Sequence, residues 1–180
     1  VSMLGPRYPP PLSKSLLNRA LLLLSARQWI RARHELEALT SRLTGAELDL
    51  ARVRIGVADA NAGRTPSAFF YLRSLQVEDA AADAERLHYV VVTARRMKNW
   101  GALRGALEEL ARSYPASPWR MEALIHAANE YVVSNDFTNS EPLFRACAES
   151  FPKDPKSAYC HWKLAWNRYG SRAEDAEELL

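Results

Sequence analysis

Tyr114-Pro115-Ala116-Ser117-Pro118 returns 37 residues later as Phe151-Pro152-Lys153-Asp154-Pro155. Both copies read aromatic, proline, any residue, a capping residue and a second proline. A missing amide hydrogen is harmless in the first helical turn, so Pro118 and Pro155 suit helix starts, with Ser117 and Asp154 as caps. The first proline of each copy ends the helix before it. The offset of 37 carries into the flanking sequence. Leu50, Leu87 and Leu124 fall in register, as do Val53, Val90, Ala127 and Leu164. Leu107 falls on Phe144, Ala111 on Ala148, and Lys98-Asn99-Trp100 on Asn135-Asp136-Phe137. Several apolar columns on one offset identify an internal repeat.

Each repeat holds two helical patterns. In the clearest one, Leu124, Ala128 and Tyr131 recur at helical spacing over about 119–134. Asn135-Asp136 marks a turn, and a second helix over 139–150 points Leu143, Phe144 and Cys147 inward. Outward from this unit, helical hairpins are expected near 13–43, 46–76, 79–113 and 119–150. A last pair spans 156–180, with its second helix starting near Arg172 and cut at Leu180. Residues 1–12 read as an extended, proline-rich lead-in. Val90-Val91-Val92-Thr93 is β-branched, but it lies inside a helical column, where tertiary context overrides strand preference. The predicted fold is all-α: one α-α superhelix, a solenoid of hairpins with a period of about 37, each burying its apolar face against its neighbours. The start at Val1 and the cut last unit predict that the chain is part of a longer protein.

The unit ending at Pro152 resembles the tetratricopeptide repeat. It has a late tyrosine in the first helix (Tyr131), a small residue three before it (Ala128), an aromatic in the second helix (Phe144), a small residue three later (Cys147), then Pro152. It departs from that family in its length, about 34 residues in the usual repeat. It also has Ser140 where alanine is usual, and Ala94 where the preceding unit should carry tyrosine. More narrowly, Trp162, Leu164, Ala165, Trp166 and Tyr169 in His161-Trp162-Lys163-Leu164-Ala165-Trp166-Asn167-Arg168-Tyr169 resemble a helix that recurs in the superhelical region of soluble lytic murein transglycosylases. The resemblance covers about 80–180. It implies a non-catalytic part of a peptidoglycan-cleaving protein of the periplasm or cell envelope. The catalytic glutamate domain of that family has no counterpart here. Similar aromatic helices also occur in periplasmic assembly proteins. The alternative is a stand-alone tetratricopeptide adaptor, in the envelope or the cytoplasm, that holds a peptide or protein in its concave groove.

On a helical wheel, Ala158, Trp162, Ala165 and Tyr169 centre one face and read as core, opposite Lys156, Lys163 and Asn167. Strict register at 37 instead puts His161 in the core column. Tyr159 and Trp166 flank the stripe and are candidate groove contacts, together with Arg95, Arg96 and Asn129. A groove aromatic can stack on a sugar face or hold a peptide side chain.

Other chemistry is sparse. The formal charge is +3, too mild to require nucleic acid or an anionic membrane. The leucines Leu21–Leu24 fall far short of a membrane span, and Asn18 and Arg19 interrupt any signal-like core around them. Cys147 and Cys160 form no CxxC pair and read as small buried apolar residues. His34, His88, His126 and His161 have no histidine three to five residues away, so they read as isolated surface or groove residues rather than metal ligands. Glu108-Glu109 and the acidic residues of 174–178 read as solvated helix faces. No phosphate loop, GxGxxG or GxSxG is present. No cofactor, metal or catalytic residue is expected, and an enzyme with an unrecognised site is the remaining reading.

Overall fold

The computed structural model describes residues 12–177; all but the last residue of the lead-in expected over 1–12, and residues 178–180, lie outside that range. The described residues form nine α-helices and one 3₁₀ turn, with no strand. They are α1 (Ser13–Ser25), α2 (Trp29–Leu39), α3 (Gly45–Asn61), α4 (Thr65–Ser74), α5 (Ala80–Arg96), α6 (Trp100–Ser113), α7 (Pro118–Val133), α8 (Phe137–Ser150) and α9 (Ser157–Glu177). The chain divides into two compact units, the first ending at Asp83 and the second beginning at Ala84.

Four turns between paired helices are built alike. Arg27, Gly63, Lys98 and Asn135 all take positive φ, from 55° to 83°. One residue further on, the amides of Gln28, Arg64, Asn99 and Asp136 donate to the carbonyls of Leu23, Asp59, Ala94 and Tyr131 at 2.8–2.9 Å. This is the Schellman closure, in which a left-handed residue lets the following amide reach back five positions. Three of the four turns use a non-glycine residue there, at some local cost. Asn99 and Asp136 then cap the following helices, accepting from the amides of Ala102 and Asn139, both at 3.1 Å.

In the first unit, α1 turns Leu17, Ala20 and Leu24 inward and α2 turns Ala32, Leu36 and Leu39. Helix α3 lies between α2 and α4, so Ile55–Ala60 is buried without a break. A Cβ on Gly56 would lie 2.4 Å from Leu72 Cδ2, so the glycine sets how closely α3 and α4 approach. Two buried carboxylates on α3 are matched. Asp49 accepts from the amides of Glu78 and Asp79, each at 2.9 Å. Asp59 pairs with Arg33 at 3.1 Å and Arg64 at 3.5 Å.

In the second unit, α7 buries Met121, Ala123, Leu124, Ala127, Ala128 and Tyr131, and α8 buries Ser140, Phe144, Cys147 and Ala148. The residues that carry the tetratricopeptide resemblance inside these helices are thus packed. Val90–Thr93 is helical and buried as expected, with the Thr93 hydroxyl donating to the Tyr89 carbonyl at 2.7 Å. Ser117 caps α7, and Pro118 is its first residue. Asp154 instead closes a turn before α9, accepting from the Lys156 amide at 2.9 Å. Near Arg172, where the last pair's second helix is expected to begin, α9 is continuous and runs on to Glu177.

The cysteines depart from expectation. Cys147 and Cys160 are buried, but as a disulfide joining α8 to α9 with Cα atoms 6.2 Å apart. They lie 13 residues apart on two facing helices, a pairing that local spacing does not reveal.

Candidate functional site

The most distinctive surface of the second unit lies along α9. Its inward edge is small and polar: Ser157 is 3% exposed, Cys160 0% and Asn167 4%, with Leu164 half-buried. The Ser157 hydroxyl donates to the Ala148 carbonyl, and Asn167 Nδ2 donates to the Ser140 hydroxyl, both at 3.2 Å. These contacts and the disulfide pair 157 with 148, 160 with 147 and 167 with 140, an antiparallel register along α8. They fix the rotation of α9.

That rotation turns the large rings outward and corrects the reading of the wheel. Trp162 is 54% exposed and Tyr169 73%; Ala158 and Ala165 are exposed too, while Asn167 from the expected polar face is buried. His161, the other candidate for the core column, is also exposed. Trp166 is 56% exposed. The outcome is a ladder of four rings. Tyr159 and Trp162 have centroids 6.0 Å apart, Trp162 and Trp166 6.0 Å, and Trp166 and Tyr169 6.4 Å. Lys163 Nζ lies 5.1 Å from the centre of the Trp162 ring and 5.7 Å from that of Tyr159, a cation–π arrangement that leaves a positive charge beside the ladder.

Tyr159 joins the ladder to a polar seam on the first helices of successive pairs. Its hydroxyl donates to Asn129 Oδ1 on α7 at 2.7 Å, and its ring meets Phe144 of α8 edge-on. Beside Asn129, Glu130 pairs with Arg95 of α5 at 2.9 Å. Lys156 pairs with Glu122 of α7. Of the sequence candidates, Tyr159 and Asn129 are thus in contact, Arg95 pairs with the residue that follows Asn129, and Trp166 continues the ladder. Arg96 is exposed, and its charge acts on His126.

One constellation was not anticipated. His88 is 4% exposed rather than a surface or groove residue, and its Nδ1 is buried without a hydrogen-bond partner. Its ring lies 5.4 Å from His126, 5.2 Å from Trp119 and 4.9 Å from Tyr89. Burial, then the nearby His126 and Lys156, hold the His88 pKa down to about 3. Burial also lowers His126, assisted by Arg95. The two histidines are 38 residues apart, nearly one repeat, so the repeat register was the signal that could have paired them. Among the described residues no group of three or more His, Cys, Asp or Glu is placed to hold a metal ion.

The first unit contains a cleft of about 470 Å³ lined by Arg33, Glu37, Arg52, Asp59, Ser67 and Tyr71, among others. Its central charges already serve the fold: Arg33 bridges Glu37 at 2.8 Å and Asp59. Burial pushes the Tyr71 phenol up, so it stays a neutral hydroxyl. No described helix is long and apolar enough to cross a membrane.

No family model, no curated protein and no solved structure matches the chain.

Proposed function

We propose that this chain is a non-catalytic, tetratricopeptide-like superhelical scaffold of a lytic-transglycosylase-like cell-envelope protein, and that it holds a glycan strand of peptidoglycan on the α9 ladder. The observation that carries this reading is the exposed row Tyr159, Trp162, Trp166 and Tyr169. Aromatic faces stack on the apolar C–H faces of sugars, and hydrogen bonds from beside the ring fix the sugar's orientation. Asn129 is the neighbouring amide, and Lys163 supplies a cation for the carboxylates of the attached peptides. The eleven residues from Tyr159 to Tyr169 rise about 15 Å, enough to face more than one sugar ring.

Two features support the supporting role and the location. A general base needs a pKa near the working pH. His88, buried and held near 3, lacks that. The Cys147–Cys160 bond is of a kind that persists in oxidising compartments such as the periplasm.

Co-sedimentation of the chain with purified peptidoglycan sacculi tests the proposal. The native chain is expected to pellet, and Trp162→Ala with Trp166→Ala to weaken binding by about tenfold or more, near 1.4 kcal/mol. Equal pelleting of the two proteins would remove the ladder from the site. Failure of both to pellet, with capture of an extended peptide that the double variant loses, would favour the peptide adaptor instead.

A further inference from the structure

The disulfide lies in the interface that presents the ladder, together with half-buried Leu164 and the edge contact of Tyr159 with Phe144. Helix α7 is seated by Met121, Leu124, Tyr131 and several alanines. Helix α9 is seated on α8 by Ser157, Cys160 and Asn167, with Leu164 half-buried and its two tryptophans outside. Among the described side chains of α9, those fully buried are small or polar: Ser157, Cys160 and Asn167. Two hydrogen bonds, Ser157 to Ala148 and Asn167 to Ser140, flank the covalent bond at its centre. The further ties, Tyr159 to Asn129 and Lys156 to Glu122, are exposed and compete with water.

We infer that the Cys147–Cys160 disulfide is a redox clasp for the aromatic helix: reducing it frees α9 from α8, leaves the α7–α8 pair folded, and removes the fixed face of the ladder. A dithiol is the reductant. One of its thiolates attacks a protein sulfur and displaces the other, giving a mixed disulfide. Its second thiolate then breaks that bond. The dithiol leaves as its own disulfide, its two electrons and two protons having converted the protein bond into two thiols. Both cysteines are fully buried, so α9 must lift before the first attack, and the rate of reduction reports that opening. The consequence for ligand binding rests on the ladder being the binding face; the docking of α9 does not, and the experiment reads docking alone.

Hydrogen exchange followed by mass spectrometry on the full chain, with and without dithiothreitol, compares peptides from 157–169 with peptides from 118–150. The expected result is exchange roughly tenfold faster or more over 157–169 after reduction, with 118–150 unchanged. Unchanged protection over 157–169 would overturn the clasp. So would equal loss over 118–150, because the bond would then hold the whole unit rather than one helix. Should dithiothreitol not reach the buried bond, the Cys147→Ser/Cys160→Ser chain, which never forms it, gives the same comparison.

Discussion

Helices α7 and α9 hold the same place in successive repeats and bury different amounts of themselves. Ala123 and Ala127 of α7 become Cys160 and Leu164 of α9, and this column faces inward in both. The adjacent column diverges: Leu124 and Ala128 are buried, whereas His161 and Ala165 are exposed. Helix α7 packs against both α6 and α8, so two columns sink. Among its described side chains, α9 buries Ser157, Cys160 and Asn167, with Leu164 half-buried, and a covalent bond joins it to α8. Within the described residues the repeat register is kept while the bulky side chains of α9 lie outside the packed column.

Substitutions along this contrast should separate the two modes of packing. The largest loss is expected at Phe144, fully buried on α8. Phe144→Ala should cost about 3–5 kcal/mol as a core truncation, read by urea denaturation; a loss near that of a surface site would break the account of the α7–α8 core. Acid should act next, through the His88–His126 contact between α5 and α7. The folded pKa of His88 lies below the ordinary 6.5, so its contribution is complete above pH 6.5 and is lost as pH falls toward about 3. By pH 4.5 the loss should reach about 2–3 kcal/mol. His88→Phe should flatten that slope in a pH series of denaturation midpoints; an unchanged slope would mean that other groups carry it.

The shared column allows a finer comparison. Ala127→Leu, in a filled core, should cost about 1–3 kcal/mol by overpacking. Leu164→Ala, at a half-buried edge, should cost only about 1 kcal/mol, well below the usual core range. Thermal melts of the two variants check the order, and a reversal would mean that α9 is the better packed helix. Tyr159→Phe keeps the ring and loses the hydrogen bond to Asn129, with an expected cost of about 0.5–1 kcal/mol.

How much of this was legible in the sequence follows from the same physics. The hairpins were readable because proline, capping residues and apolar columns act within a few positions of one another. Asn135-Asp136 is an example, with a left-handed closure followed by a helix cap. The face of α9 was not readable from a wheel, which gives weight to large rings, whereas its docking involves a disulfide and two small polar groups that meet partners 9 to 27 residues away. The Leu164 column held the better signal, because register is inherited from the repeat and not from local hydrophobicity. His88 and His126 escaped a search limited to metal-like spacings within one helix. Tyr159 and Asn129 meet through a hydrogen bond that belongs to the folded chain, as does the pairing of Arg95 with Glu130.

The central claim is that α9 docks by its small edge and leaves its rings in solvent. Urea denaturation of the Trp162→Ala/Trp166→Ala double variant tests it most directly. The account predicts a loss of under about 1 kcal/mol relative to the native chain, as for surface substitutions. A loss of about 5 kcal/mol or more would place these rings in a core and contradict the orientation of α9.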